Sequence, residues 1–288
     1  IMLGSTATEY ELAEMREQLG LNRPYIVQLG EFLYNTFIRF DLGTSYLTGA
    51  PVSAEIASRL PRTLTLGIAS MVLAFGIGIP LGVTAAVHQN GWGDRISMII
   101  ALLGVSIPTF WLAMLMVLLF SLKLRWFPAS GIGGWEYYVL PTVSLCFGGL
   151  ATQARQSRSS MLEVIRSDYV VTARAKGLSQ REVIFKHALP NAMNPIITLA
   201  GNNLAVIFGG SVVIENVFSF PGIGQYMINA INQRDYPIVR GCVVMLAVVF
   251  AVIMLLVDLC YAFNDPRIKS RYVNTGKKKP AKAAKEQV

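Results

Sequence analysis

Asp168–Pro190 reads DYVVTARAKGLSQREVIFKHALP, a charged stretch set between two long apolar runs. It carries two helical signatures. Asp168 is placed to N-cap a short helix over Tyr169–Lys176, with Arg174 and Lys176 in its last turn, where cations suit the helix dipole. Gly177 stands at the C′ position, where a left-handed residue ends a helix. Ser179 and Glu182 form an S-x-x-E capping box that opens a second short helix, expected to end near Pro190. Two stubby helices joined by a glycine elbow make a rigid, cationic knob suited to docking.

Outward from this stretch the chain is apolar. Its 288 residues are 53% hydrophobic, with a mean hydropathy of +0.48, which excludes an ordinary soluble domain. Five runs lack Asp, Glu, Lys and Arg: Thr63–Val87, Ile96–Leu122, Tyr137–Ala154, Ala188–Ile214 and Gly241–Val257. A membrane-crossing helix needs about 20 apolar residues, and these runs predict five spans. The fold class is therefore all-α, a polytopic transmembrane helical bundle.

The net charge of +8 is too localised to indicate nucleic acid. Arg155, Arg158, Arg166, Arg174, Lys176, Arg181 and Lys186 fall around the knob. Arg267, Lys269, Arg271 and a lysine run fall in the tail. With five spans these segments share one side, and positive charge marks that side as cytoplasmic. Residues 1–61 are then external, 62–263 form the transmembrane domain with a cytoplasmic loop at 156–189, and 264–288 form a solvated basic tail.

The external region reads as helical. Thr8-x-x-Glu11 is a capping box, Gly20 ends the first helix, and Pro24 opens a second carrying Ile26, Val27, Phe32, Leu33 and Phe37. Pro51–Leu60 feeds the first span. Within the spans, Gly78-x-x-x-Gly82 permits close helix approach, and Gly104 and Pro108 interrupt the second. In the fourth, Asn191, Asn194, Thr198 and Asn202 recur at three- and four-residue steps, with Asn203 beside them. Such a stripe avoids lipid. It either lines a polar path, with Asn194, Thr198, Asn202 and Asn203 as the candidates, or makes interhelical hydrogen bonds. Cys146, Cys242 and Cys260 show no metal or disulfide spacing, and neither a cofactor nor a metal site is expected.

Several motifs carry a resemblance to a known family. Ala173, Gly177, Leu189 and Pro190 stand at the spacing of the coupling loop in permease subunits of bacterial ABC importers. The wording T-A-R-A-K-G-L followed by H-A-L-P-N resembles the dipeptide, oligopeptide and nickel branch. Asp41-Leu42-Gly43-x-Ser45, Arg59-Leu60-Pro61-x-Thr63-Leu64, Glu215–Gly224 (ENVFSFPGIG) and Asp265-Pro266-Arg267 extend the match. The broader family has Glu where this chain has Val171, and an apolar residue where it has His187.

The resemblance implies a permease of the bacterial inner membrane. It implies coupling to an ATPase through Asp168, Thr172, Ala173, Arg174, Ala175, Lys176, Gly177 and Leu178. It implies a second homologous permease, two ATP-binding cassette subunits, an external solute-binding protein meeting Phe218, Phe220, Pro221 and Gly222, and a peptide substrate. It also implies a further transmembrane helix before residue 1. Nickel chelates and glutathione are carried by similar permeases.

No G-x-x-x-x-G-K-[ST] occurs in the chain, so nucleotide is not held by a P-loop here. A membrane enzyme would need a nucleophile–base pair or a metal cluster, and neither His88 nor His187 has a neighbouring carboxylate in sequence. An ion-coupled secondary transporter is the serious rival. It would place an acid near the bilayer midplane, whereas Glu215 and Asp258 fall near span ends.

Overall fold

The computed structural model describes residues 8–18 and 20–264. The Asp265-Pro266-Arg267 motif and the basic tail lie outside these residues, as does the side chain of Cys260. All elements below are helical, with a single bridge between Thr44 and Pro51 in an external loop.

The capping box at the N-terminal end forms as expected. The Thr8 N–H and hydroxyl donate to the Glu11 carboxylate at 2.8 and 2.9 Å, which holds that carboxyl below its ordinary range, and the Glu11 N–H returns to the Thr8 hydroxyl at 3.4 Å. This opens α1 (Glu9–Gln18). Pro24 precedes α2 (Tyr25–Phe37). The helix expected over Pro51–Leu60 and the first span join without a break. α3 runs through Pro61 as one helix of 36 residues, Val52–Val87.

The second apolar run is broken, not continuous. α4 (Trp92–Ser106) and α5 (Thr109–Met116, prolonged by a π-helical turn to Lys123) meet at 103°. Pro108 is the cause: it pushes the preceding residue out of the helical region, and Ile107 has φ −84 and ψ 122.

α6 (Glu136–Ile165) extends well beyond the expected end at Ala154. It is followed by α7 (Asp168–Ala175) and α8 (Gln180–Glu182), then by a π-helical turn over Val183–Ala188 that leads into α9 (Leu189–Val217). α10 (Ile223–Gln233) and α11 (Tyr236–Asn264) complete the chain as described.

α6 is the hub. It packs along α3 and α9 and meets α4 and α5. Small residues allow this. A Cβ added at Gly82 would stand 2.3 Å from the Ala154 carbonyl oxygen, and one at Gly78 would stand 2.9 Å from that of Leu150. One at Gly104 would meet the Ala151 methyl at 2.7 Å. The G-x-x-x-G signal of α3 thus serves packing against α6.

Among the described residues, α3, the continuous Gln180–Val217 helix and α11 are apolar and long enough to cross a membrane, and α4 with α5 adds a bent pair. α6, expected as a fifth apolar span, is long enough at 30 residues but too polar to join them. It buries Thr142, Ser144, Gln153, Ser157 and Ser160 against its neighbours. A helix sheathed by protein is released from the apolarity that lipid demands.

Candidate functional site

At one end of the bundle the Asp168–Pro190 stretch forms the expected knob, with three corrections. Asp168 is the first helical residue of α7, and Ser167, with φ −73 and ψ 149, occupies the cap position. The helix opened by Ser179 does not end at Pro190. It continues through the π turn into α9 as one helix of 38 residues, Gln180–Val217. The Leu189 N–H bonds to the Ile184 carbonyl, five residues back. The wider turn displaces the carbonyls that an α-helix would press on the Pro190 ring.

The third correction concerns Ala173. It is buried, and with Val170 it packs on Val83 and Ala86 of α3, Met161 of α6, Val183 and Ile184 of the π turn, and Ala188, Ala192 and Ile196. Ala173 therefore anchors the knob and presents nothing outward. Asp168, Thr172, Arg174, Ala175, Lys176, Gly177 and Leu178 are exposed, beside Tyr169 and Val171. Gly177 has φ +79 with no atom within 4 Å of a built Cβ. It is held by backbone conformation alone. Ser179 accepts from the Glu182 N–H at 3.3 Å, and Lys186 donates to Glu182 at 3.0 Å. The outcome is a fixed elbow with cationic and apolar side chains outward.

The polar stripe on α9 divides. Asn194, Thr198 and Asn202 line a groove of about 460 Å³ with Pro195, Leu199 and Gln156. Asn203 is buried instead, and its amide donates to Gln153 at 3.4 Å. Gln153 also donates to the Ile196 carbonyl at 3.2 Å. The interhelical hydrogen bond is made by Asn203, as a buried α6–α9 link, while Asn194, Thr198 and Asn202 face an uncharged amide and hydroxyl groove. Asn191 folds back onto the His187 carbonyl at 2.8 Å and does not line the groove.

The end opposite α7 is tied by buried acids. Glu215 is fully buried and accepts from the Thr63 hydroxyl at 2.7 Å, from Gly224 N–H at 2.7 Å and from Gln225 N–H at 3.1 Å. The Thr63 hydroxyl in turn accepts from Ile223 N–H at 2.9 Å. A carboxylate and a hydroxyl from two other helices thus satisfy the first N–H groups of α10. Asp235, also buried, accepts from the Ser45 hydroxyl at 2.5 Å and from Tyr46 N–H at 3.2 Å.

Phe218 and Phe220 are 2% and 0% exposed, so neither is a docking surface. They fill the core, with Phe220 edge-on to Tyr138 at 5.0 Å. Gly222 is buried against Glu215, and half-buried Pro221 gives its carbonyl to Arg62 at 3.1 Å. Glu215, Phe218, Phe220, Gly222, Ile223 and Gly224 form a structural knot, with Asn216 and Ser219 exposed on it.

Residues 78–270 match the family described as the inner membrane component of binding-protein-dependent transport systems. The chain belongs to this family. A peptide transport system permease protein of Brucella abortus, named as putative, is 42% identical over 277 residues, covering 93% of this chain and 88% of that relative. A dipeptide transport system permease protein of Alkalihalophilus pseudofirmus is 42% identical over 296 residues, covering 93% and 89%. A glutathione transport system permease protein of Salmonella choleraesuis is 40% identical over 269 residues, covering 93% and 88%. Among solved structures, an inward-facing methionine ABC transporter subunit shares the fold with a TM-score of 0.61 at 22% identity, covering 73% of this chain and 96% of its own.

Two features of this permease carry no signal in its sequence. Gln156 joins the groove from α6, 38 positions or more from the α9 residues it faces. Arg158 grips Asp94 through Nε at 2.5 Å and Nη2 at 2.7 Å, and Asp94 also accepts from Asn90 N–H at 2.9 Å. This pair lies 64 residues apart. It fastens the start of α4 to α6, near the α3–α4 turn, where Arg166 also donates to Gln89 at 3.1 Å.

Proposed function

We propose that this chain is one permease subunit of an ATP-driven peptide importer, coupled to a separate ATPase through the exposed face of α7 and its elbow. The observation that carries the reading is the knob itself. Its inner face is fixed to α3, α6 and α9 by a buried apolar cluster, while its outer face offers Tyr169, Val171, Arg174, Lys176 and Leu178 to a partner. A short helix seated in a partner's groove moves with that partner, and its rigid base transmits the motion to three helices as a body.

The assembly contains a second homologous permease, two ATP-binding cassette subunits on the α7 side and a solute-binding protein on the opposite side. The cationic residues around the knob support a cytoplasmic location for it, and hence an external location for residues 1–61. Peptides are the proposed substrate class because the relatives named for peptides, a dipeptide and glutathione all span nearly the whole chain. The groove suits them: Gln156, Asn194, Thr198 and Asn202 offer donors and acceptors without charge. Glutathione, itself a peptide, is the second reading, supported by the 40% identical relative.

The ion-coupled alternative loses support at Glu215. Its carboxylate is committed to Thr63, Gly224 and Gln225. The deciding experiment is dipeptide uptake by cells carrying the complete transporter. Uptake is expected to survive a collapsed proton gradient and to stop on ATP depletion; the reverse pattern refutes the proposal. Gly177→Val keeps open space for its side chain but cannot hold φ +79 without strain. It is expected to leave a stable, inserted protein whose ATPase partner no longer drives uptake. Normal uptake by this variant would remove the coupling role from the elbow.

A further inference from the structure

α2 is a helix whose two flanks differ. Ile26, Leu29, Leu33 and Phe37 follow one another at steps of three, four and four residues, so they share one flank. All four are exposed, and Phe40, in the loop just past the helix end, is exposed too. The other flank is mixed: Glu31 stands there between exposed Val27 and Tyr34, with half-buried Asn35 beside it. The inner face is settled against the bundle: Thr36 is buried, and the Phe32 ring lies under the Arg240 guanidinium at 4.9 Å. The Asn35 carbonyl accepts from Asp41 N–H at 2.9 Å, which fixes the helix to the loop that follows.

The location of that anchor matters. Arg240 belongs to the first turns of α11, whose apolar window is only 6% buried. The outward face of α11, with Val243, Phe250 and Val252 exposed, is apolar surface on a helix long enough to cross a membrane. The Arg240–Phe32 contact fastens α2 at the start of that helix. The charges nearby stay off the stripe. Arg23 pairs with Glu31, and Arg39 stacks on the Tyr34 ring at 5.2 Å. Tyr25 and Tyr34, both exposed, have the apolar body and polar tip of residues found at membrane interfaces.

We propose that α2 is an interfacial helix, lying in the headgroup region of the leaflet at the end opposite α7, with Ile26, Leu29, Leu33, Phe37 and Phe40 immersed in lipid. It acts as a float that sets the depth of the α11 start and of the loop pinned by Asp235. The proposal does not depend on which peptide is carried or on how ATP is coupled.

A photoreactive benzoylphenylalanine placed at Leu33 and, separately, at Phe37 tests it. The complete transporter, with its partner subunits and binding protein, is irradiated in nanodiscs of phosphatidylcholine and phosphatidylglycerol, and the adducts are identified by mass spectrometry. Lipid adducts are expected to dominate at both positions and to exceed several-fold those from the same probe at Glu31. Cross-links chiefly to the second permease or to the binding protein would overturn the proposal, as would a lipid yield no higher than at Glu31. If one probe position prevents assembly, the other decides alone.

Discussion

α6 and α11 are nearly equal in length, 30 and 29 residues, yet they solve opposite problems. α11 is apolar throughout its window and barely covered by protein. α6 carries five buried polar side chains and is covered by α3, α4, α5 and α9. In a bilayer, apolar composition records contact with lipid and says little about depth in the protein. The most central helix of this bundle is for that reason the hardest to recognise by hydropathy, and the most peripheral is the easiest.

The contrast can be broken or sharpened by substitution. The largest effect is expected from Gly82→Val, on the α3 face that touches α6. Its Cβ would lie 2.3 Å from a backbone oxygen, which no rotamer relieves. We expect no monodisperse protein on size-exclusion chromatography in detergent. A well-behaved variant would mean that α3 and α6 are not in close contact.

Next comes the charged grip on α6. Asp94→Asn removes the anion facing Arg158, and the loss is expected to be about 2–3 kcal/mol, the scale of hydrogen bonds to charged groups. Thermal unfolding of the purified complex reads it. A melting temperature equal to wild type would show that the pair contributes nothing.

A matched pair of methyl groups gives the cleanest comparison. Ala151 on α6 is 2% exposed and touches α4 at Gly104; Ala251 on α11 is exposed. Ala151→Leu is expected to cost about 2 kcal/mol through overpacking, and Ala251→Leu less than about 0.5 kcal/mol. Equal melting temperatures would erase the distinction drawn here. A smaller loss than that of Ala151→Leu is expected from Gln153→Leu, which severs the links to Ile196 and Asn203. Hydrogen bonds between membrane helices average about 0.6 kcal/mol, so a shift of a few degrees or less is expected. Collapse of the fold would place Gln153 among the essential determinants.

Legibility in the sequence followed the range of each interaction. The Thr8 and Ser179 capping boxes and the left-handed Gly177 were readable because each is decided within four residues; the Gly78–Gly82 spacing announced a close approach but not α6 as the helix it meets. Pro108 announced a break but not its angle, which depends on what α4 and α5 pack against. The burial of Phe218 and Phe220 was not readable. An aromatic pair near a span end satisfies a membrane interface or a core equally well, and only the capping of α10 by Glu215 folds that stretch inward. Gln156 and Arg158 gave no sign, since the residues they face are distant in sequence. The division of the α9 stripe was likewise hidden: Asn202 and Asn203 are adjacent, and one step of the helix separates groove from interior.

That one step gives the π turn between knob and groove a meaning of its own. A π turn accommodates one residue more than an α turn would. Val183–Ala188 therefore works as a local store for a surplus residue: the turn widens, and the helix on either side keeps its bearing. Asn194, Thr198 and Asn202 stay on the groove while Val170 and Ala173 stay seated on their cluster. Deleting a single residue there is expected to restore ordinary α geometry and leave both faces where they are, whereas the same deletion in the regular part of α9 would turn the polar face by about 100°.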